Sequence, residues 1–224
     1  MSEVPHFDPR QVPVVAADTH LPPVAPDVLA PDALVRRFAA PPPWTPEMAA
    51  EPRFVERAPV HASVLVPLVM RDHLTVLLTQ RTQHLSSHSG QISFPGGKAD
   101  ASDPDAVHTA LREAHEEIGL DAEFVQVLGS LPIYTTGSAY HVTPVVALVR
   151  EDFRITPNAF EVAEVFEVPL SFLMDPANHR RHEVDWQGKR RQWLSMPYQD
   201  GDIERFVWGA TAGMLRNLYR FLRA

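Results

Sequence analysis

Three glutamates stand within five positions of one another in the stretch REAHEEIGL, residues 112–120. Glu113, Glu116 and Glu117 are spaced i, i+3 and i+4, so on a helix their carboxylates share one face. Like charges at these spacings repel each other and cost stability. A divalent cation such as Mg²⁺ would offset the repulsion, because hard cations prefer carboxylate oxygens. The alternative is a solvated acidic helix face, and Arg112 could orient one of the carboxylates.

The segment FPGGKAD, residues 94–100, precedes this predicted helix. Its glycines, Gly96 and Gly97, let the backbone turn sharply and approach a neighbour closely. A glycine-rich segment that leads into a carboxylate-bearing helix is compatible with a site for a metal ion and a phosphate. The segment is too short and wrongly spaced for a phosphate-binding P-loop.

The helix that carries the glutamates is the strongest helix prediction in the chain. Asp103 is the expected N-cap, Pro104 the first helical residue and Gly119 the residue after the last turn. Asp105 supports the positive end of the helix dipole. An apolar stripe at helical spacing lies beside the glutamate face and predicts the buried side. The stripe consists of Val107, Ala110, Leu111, Ala114 and Ile118.

Short β-branched runs flank this helix along the sequence and predict strands. They are residues 62–70, 74–80, 91–97, 124–134, 141–150 and 161–170. We expect the run over 91–97 to end in a break at its Pro-Gly-Gly sequence. The pattern is completed by a short helix at 170–175, a hairpin over 179–186 and 189–196, and an amphipathic helix over 208–222. This order predicts an α/β (α+β) layered domain in which helices pack on a mixed sheet.

Residues 1–59 hold 13 of the 22 prolines, and we expect them to form an extended arm with two short helices. One helix is predicted over residues 31–40. The other begins where Thr45 caps and Pro46 takes the first helical position. The arm also has aromatic side chains to bury, Trp44 and Phe54. It is therefore either a flexible tail or a segment that packs across the domain or across the partner in a homodimer.

The composition argues against several classes of protein. The 224 residues carry a formal net charge of −8 with a pI near 5.7, so a general nucleic-acid surface is not expected. The chain has no cysteine, which excludes disulfides and thiol catalysis. The apolar run at residues 64–70 is too short to span a bilayer, and the N-terminus has no signal-peptide pattern. We expect a cytoplasmic protein without a nucleic-acid or membrane partner.

A set of glycines, an arginine and glutamates resembles the signature of the Nudix hydrolases, which runs G, five residues, E, seven residues, R-E-apolar-x-E-E-x-G-apolar. The set is Gly97, Arg112, Glu113, Glu116, Glu117, Gly119 and Leu120. Fourteen residues separate Gly97 from Arg112, where the general signature has thirteen. Asp103 stands at the position of the early glutamate, and we assign it no role beyond capping the helix. The resemblance implies a Nudix-like α/β/α sandwich with a mixed sheet over residues 60–224.

A second motif lies upstream, in residues 77–100. It resembles the extended motif of the coenzyme A pyrophosphatase branch of the family, L-L-T-x-R followed by L-x-x-H-x-G-x-I/V-x-F-P-G-G-x-x-D. The matching residues are Leu77, Leu78, Thr79, Arg81, Leu85, His88, Gly90, Ile92, Phe94, Pro95, Gly96, Gly97 and Asp100. Together the two motifs extend over residues 77–120.

The resemblance implies hydrolysis of the diphosphate bond of coenzyme A, or of its derivatives, with Mg²⁺ or Mn²⁺. The products would be 3′,5′-ADP and 4′-phosphopantetheine. By resemblance, Glu113 and Glu117 are the main metal ligands, and Glu116 is a further ligand or the base that activates water. The base of this family can also come from a later loop, where Glu161 and Glu164 are candidates.

Several residues around the motif are candidates for contact with this small-molecule diphosphate. Arg81 and Lys98 could bind its phosphates, with ordinary surface charge as the alternative. His88, Gly96 and Gly97 belong to the motif and are predicted to contact the substrate. A basic cluster in the predicted hairpin could meet the 3′-phosphate of coenzyme A or remain a solvated surface. The cluster is Arg180, Arg181, Lys189, Arg190 and Arg191.

Two other functions remain open at this point. The chain could hydrolyse a different diphosphate, such as ADP-ribose, a dinucleotide or a nucleoside triphosphate. It could also be a Nudix-like module that binds a nucleotide without turnover. The second alternative predicts damaged catalytic glutamates, whereas Glu113, Glu116 and Glu117 are all present.

Overall fold

The computed structural model describes residues 8–83, 90–186 and 189–224. The strands in this part of the chain are β1 (Val14–Ala17), β2 (Val60–Met70), β3 (Leu74–Arg81), β4 (Ile92–Ser93), β5 (Gly96–Lys98), β6 (Val125–Ser130), β7 (Tyr134–Thr135), β8 (Tyr140–Val149), β9 (Val162–Pro169), β10 (Arg180–Trp186), β11 (Lys189–Asp200) and β12 (Ile203–Trp208). The helices are α1 (Pro31–Ala39), α2 (Ala106–Ile118), α3 (Leu170–Leu173) and α4 (Gly209–Arg223). No helix of the described chain is long and apolar enough to cross a membrane.

The larger sheet is mixed, as the sequence predicts. Its strand order is β4-β3-β2-β8-β6, and β5 pairs with β2, β7 with β8 and β9 with β3. β2 and β8 run parallel, whereas the other pairings in this sheet are antiparallel. Helix α2 covers one face, where the predicted stripe buries Ala110, Ala114 and Ile118 against Leu65 and Val145. This packing fixes which side of α2 the glutamates can occupy.

The smaller sheet is antiparallel, with strand order β1-β10-β11-β12. One continuous buried cluster joins it to α1, α4 and the second face of the larger sheet. Representative members are Leu34 of α1, Leu215 of α4, Met196 of β11 and Val66 of β2. The helices therefore lie against both faces of the larger sheet, in the layered α+β arrangement expected from the sequence.

The described part of the N-terminal arm packs against its own chain. The helix predicted over 31–40 is confirmed as α1, and Leu34 is fully buried. The helix predicted at Thr45 and Pro46 is wrong, because the backbone there bonds outward instead of along itself. The N–H of Met48 donates to Oδ1 of Asn217 at 3.0 Å.

Two further differences concern strands. The run over 91–97 is broken before its Pro-Gly-Gly sequence, as predicted, because β4 stops at Ser93, but Gly96 and Gly97 then belong to a second strand, β5, where Gly97 pairs with Ser63 of β2. Neither β1 nor β12 is predicted from the sequence. The hairpin prediction is confirmed by the pairing of β10 with β11, although its turn at residues 187–188 lies outside the described residues.

Candidate active site

Helix α2 begins later than the sequence predicts. Its N-cap is Asp105, whose carboxylate accepts the N–H of His108 at 2.9 Å, so the assignment of Asp103 as N-cap is wrong. Gly119 ends the helix in the left-handed conformation at φ 68°, as predicted. A side chain at Gly119 would also approach the backbone nitrogen of Thr156 to 2.9 Å. The C-terminus of α2 is thereby fixed against a later segment of the chain.

Glu117 is buried between α2 and the larger sheet, with an exposed fraction of 5%. One carboxylate oxygen accepts the N–H of Gly96 at 3.1 Å, and the other lies 3.5 Å from a guanidinium nitrogen of Arg81. Burial raises the pKa of Glu117 to about 7, because these two contacts offset only part of the lost hydration. Additional positive charge at this carboxylate would therefore be favourable.

Glu113 lies against the backbone of Gly97. A Cβ atom on Gly97 would stand only 2.4 Å from Oε2 of Glu113, so any larger residue must displace this carboxylate. Burial raises the pKa of Glu113 above its ordinary 4.5, although Arg112 donates a hydrogen bond to it at 3.0 Å. Like Glu117, Glu113 is thus a carboxylate that its surroundings leave short of positive charge.

Arg112 connects the loop before α2 to two of the three glutamates. Its Nε and Nη2 donate to the two oxygens of Asp103 at 3.0 and 2.9 Å. Its Nη1 donates to Glu113 at 3.0 Å and to Glu116 at 3.2 Å. The hydrogen bonds between Arg112 and Asp103 raise the pKa of Arg112 and lower the pKa of Asp103. Asp103 therefore orients the arginine that holds the glutamates, a role that the sequence analysis missed.

Only one of the two later glutamates reaches the site. The backbone of Glu161 is bonded to Asn158, which is bonded to Glu117, and its negative charge contributes to the raised pKa values of Glu113 and Glu117. Glu164 instead accepts two hydrogen bonds of 2.6 Å from Arg205, which lower its pKa. The structure thus brings Glu161, and not Glu164, to the carboxylates of α2.

The segment before Glu161 is attached directly to the end of α2. The N–H of Thr156 donates to the carbonyl of Ile118 at 2.7 Å, and that of Asn158 to the carbonyl of Glu117 at 2.9 Å. The carbonyl of Glu161 accepts the N–H of Thr82, just after β3, at 3.0 Å. The helix that bears Glu117 therefore also positions Glu161.

The remaining predicted contact residues divide into two groups. Arg81, Gly96 and Gly97 border the carboxylates, as described above. Lys98 has an exposed side chain, and its carbonyl accepts a hydrogen bond from Arg112 at 3.0 Å. His88 lies outside the described residues.

Three arginines of the basic hairpin cluster are engaged with the protein itself. Arg181 donates to Asp18 and Glu47, each at 2.7 Å. Arg190 forms an ion pair with Glu183. Arg191 donates to the carbonyl of Pro52 at 3.0 Å. These contacts bind the N-terminal arm and stabilise the hairpin, so they argue against a 3′-phosphate site formed by this cluster.

The carboxylates suit a hard divalent cation by their chemistry. Glu117 is buried and Glu113 half-buried, the negative charge of Glu161 acts on both, and positive charge compensates them only in part, which is a setting in which a divalent ion is favourable. In this conformation the described chain has no ready-formed group of three His, Asp or Glu side chains around a single ion position. Arg112 donates to one oxygen of Glu113, and Arg81 lies 3.5 Å from one oxygen of Glu117, so each carboxylate keeps an oxygen that no arginine of the described residues contacts.

Comparison with known proteins identifies the family of this chain. The family model described as NUDIX domain matches residues 59–192. The Uncharacterized Nudix hydrolase NudL of Yersinia pestis (strain Pestoides F) is 42% identical over 158 residues, which cover 70% of this chain and 77% of that protein. The protein of the same name from Yersinia pseudotuberculosis serotype O:1b (strain IP 31758) gives the same values.

Solved structures of this kind are also similar over about half of the chain. A C. elegans Ap4A hydrolase binary complex is 21% identical, covers 50% of this chain and 80% of that chain, and has a TM-score of 0.42. The NUDIX domain of Shewanella oneidensis NrtR, complexed with ADP ribose, is 22% identical, covers 51% and 75%, and has a TM-score of 0.40. The match to the family model and the 42% identity to NudL show that this chain belongs to the Nudix hydrolases.

Proposed function

We propose that this Nudix hydrolase cleaves the diphosphate bond of coenzyme A, or of a derivative, to give 3′,5′-ADP and 4′-phosphopantetheine. The observation that carries the proposal is the position of the upstream motif relative to Glu117. Gly96 of the motif donates to one oxygen of this carboxylate, and Arg81 lies 3.5 Å from the other. The residues that resemble the coenzyme A branch therefore border the carboxylates that a diphosphate has to reach.

Arg81 is the cation best suited to the substrate's phosphates. Its side chain is three-quarters buried, and within the described residues its Nε has no hydrogen-bond partner. A buried donor without a partner is unfavourable, and a phosphate oxygen would satisfy it. Arg81 would bind a phosphate oxygen through this Nε while Glu117 contributes to holding the metal ion.

Nudix hydrolases generally use divalent metal ions, and we propose Mg²⁺ or Mn²⁺ for this chain. Such an ion would supply positive charge that neutralises the diphosphate and makes its phosphorus more electrophilic. Glu113 and Glu117 would hold it from α2, with the exposed Glu116 as a further ligand. Arg112 keeps Glu113 and Glu116 in position through its hydrogen bonds.

Glu161 is the proposed proton acceptor. Its negative charge acts on Glu113 and Glu117, and its backbone is bonded to Thr82 and to Asn158, which is itself bonded to Glu117 at the end of α2. A water oxygen adds to one phosphorus while its proton passes to the carboxylate of Glu161. The bond between that phosphorus and the bridging oxygen breaks, and the bridging oxygen leaves on the other phosphate.

A substrate panel tests the proposal. Coenzyme A, acetyl-coenzyme A, ADP-ribose, NADH and a nucleoside triphosphate would be incubated with Mg²⁺, and the products resolved by chromatography and mass. We expect preference for coenzyme A with release of 3′,5′-ADP and 4′-phosphopantetheine. Preference for another compound would reject coenzyme A as the substrate while retaining the hydrolase. Absence of turnover with both Mg²⁺ and Mn²⁺ would favour the binding-module alternative.

A further inference from the structure

Phe160, the residue directly before Glu161, is the most exposed large apolar side chain of the described chain, with an exposed fraction of 66%. The other large apolar side chains with high exposure are aliphatic, and they are Val14, Val15, Ile133 and Ile203. Single exposed aliphatic side chains are common on protein surfaces, whereas an exposed aromatic ring next to a candidate proton acceptor indicates a binding role. Binding residues are commonly carried on such connecting segments.

The backbone of Phe160 is held in place at both of its polar groups. Its N–H donates to Oδ1 of Asn158 at 3.1 Å, and its carbonyl accepts the hydroxyl of Thr82 at 2.9 Å. Asn158 is in turn bonded to the carbonyl of Glu117. The position of Phe160 is therefore set by the end of β3 and the end of α2, the two elements that present Arg81 and Glu117.

We propose that Phe160 is a substrate-contact residue that stacks on the planar base of the nucleotide half of the substrate. The inference rests on the proposed diphosphate hydrolysis at Glu117 and identifies the part of the substrate that Phe160 contacts. Phe160 is bonded to Thr82, the residue after Arg81, and through Asn158 to Glu117, so it lies beside the residues at which we place the diphosphate. A nucleobase offers a π-face to a phenyl ring, and such stacking tolerates different bases.

The test compares two ligands that share a phosphate and a ribose but differ in the base. Binding of AMP and of ribose 5-phosphate would be measured by calorimetry for the wild type and for Phe160→Ala, Phe160→Leu and Phe160→Trp. We expect Phe160→Ala to weaken AMP roughly 10-fold and to leave ribose 5-phosphate unchanged. Phe160→Trp should keep AMP affinity, whereas Phe160→Leu, which is apolar without a π-face, should lose most of it.

Ile203→Ala is the matched control, since it truncates an exposed apolar side chain on β12, a strand of the smaller sheet. It should leave both affinities unchanged. In steady-state kinetics with the preferred substrate, Phe160→Ala should raise KM and preserve kcat, and its melting temperature should stay near that of the wild type.

Three results would overturn the inference: unchanged AMP binding in Phe160→Ala, equal losses for AMP and ribose 5-phosphate, or no AMP binding by the wild type. The proposed function fails separately, since it requires turnover of coenzyme A by the wild type. If the wild type does not hydrolyse coenzyme A, that substrate is rejected. If Phe160→Ala nevertheless binds AMP more weakly than the wild type does, the stacking contact is still supported.

Discussion

At the candidate active site, the buried Glu117 and the half-buried Glu113 meet too little positive charge, whereas two carboxylates at the junction with the N-terminal arm, one of them buried, meet ample arginine. We call this second group the arm clasp and define it as Asp18, Glu47, Arg181 and Arg216. Each region has one buried carboxylate, Glu117 or Asp18, beside a guanidinium group. Their pKa values nevertheless move in opposite directions, upward at the active site and downward in the arm clasp.

The arm clasp is a closed set of ion pairs. Arg181 meets Asp18 through two hydrogen bonds of 2.9 and 2.7 Å. Arg216, whose side chain is 1% exposed, lies 3.1 Å from Asp18 and donates to Glu47 at 2.8 Å. Burial alone would raise the pKa of each carboxylate, but these arginines outweigh it. The positive charge of these arginines therefore compensates the negative charge of Asp18 and Glu47.

His179 completes the clasp as a neutral side chain. Arg216 can only donate, so Nδ1 of His179 accepts its hydrogen bond at 3.0 Å. The ring proton then lies on Nε2, which donates to the carbonyl of Leu173 at 2.8 Å. Burial lowers the pKa of His179 to about 4, so the ring adds no charge at neutral pH.

The two sets of carboxylates therefore differ in function: those of the arm clasp stabilise the fold, and we expect those of the candidate active site to bind a ligand. A buried carboxylate with its arginines in place fixes the arm to α4 and β10 and needs no ligand. Glu113 and Glu117 are left short of positive charge by the same fold, so a cation would stabilise them. Strongly perturbed carboxylates in a cleft are typical of functional sites.

The largest expected effect is on turnover. Glu117→Gln removes the most buried carboxylate of the site, and we expect hydrolysis to fall on the order of 10³-fold while the fold is kept. Steady-state kinetics and circular dichroism would measure the two quantities. Glu164→Gln is the matched control because Glu164 pairs with Arg205, and it should retain turnover. Equal activity of Glu117→Gln and the wild type would contradict the contrast between the two regions.

The arm clasp should respond in stability instead. Asp18→Ala removes a carboxylate that pairs with the buried Arg216, so we expect the free energy of unfolding to drop by about 3 kcal/mol. Urea denaturation would measure the loss. Asp27→Ala, at an exposed position in the same arm, should change stability by less than about 0.5 kcal/mol. A small effect of Asp18→Ala would mean that the clasp does not hold the arm.

The two regions should also give opposite pH dependence in metal-free protein. Unfolded Glu117 releases its proton near its ordinary pKa of 4.5, whereas the folded protein holds it to about pH 7. Between these values the folded state binds more protons, so its stability falls as pH rises, by about 3 kcal/mol. Glu117→Gln should abolish this slope in urea denaturation series with a chelator present. Parallel pH curves for variant and wild type would be inconsistent with a raised pKa.

Asp18 and Glu47 should act in the reverse sense. Their folded pKa values lie below the ordinary 3.8 and 4.5, so the stability they contribute is present above these values and is lost as pH falls through the folded pKa. In the same series, Asp18→Ala should therefore differ from the wild type at neutral pH and converge with it in acid.

The smallest expected effect comes from Gly97→Ala. The added methyl group would stand 2.4 Å from Oε2 of Glu113 and must displace it, so we expect turnover to fall about 10-fold with little change in stability. In a Glu113→Gln background the same substitution should have a much weaker effect, because the two changes act on one contact. Additive losses would show that Gly97 acts by another route.

The sequence predicts the parts of the site that depend on local spacing. The three glutamates and the apolar stripe of α2 follow from helical periodicity, and Gly119 from its role after the last turn. Asp103 and Asp105 are equally good caps in the sequence D-P-D, so only the contact of Asp103 with Arg112 separates them. That contact is between side chains nine positions apart and has no periodic signature.

Longer separations explain the remaining errors. Glu161 and Glu164 lie three residues apart, and Arg205, 41 residues after Glu164, decides which one stays available. The arm clasp joins Asp18 to Arg181 across 163 positions. Patterns of residue type report which side chains are buried, but they do not report which distant charge each one meets.

We expect Glu117 and its neighbours to bind a divalent cation, because the fold places too little positive charge beside these carboxylates. Calorimetric titration with Mn²⁺ above pH 7, where Glu117 is ionised, tests it directly in the wild type, Glu117→Gln and Asp18→Ala. The account predicts binding by the wild type and Asp18→Ala, and at least about 10-fold weaker binding by Glu117→Gln. Equal Mn²⁺ affinity in all three proteins would contradict it.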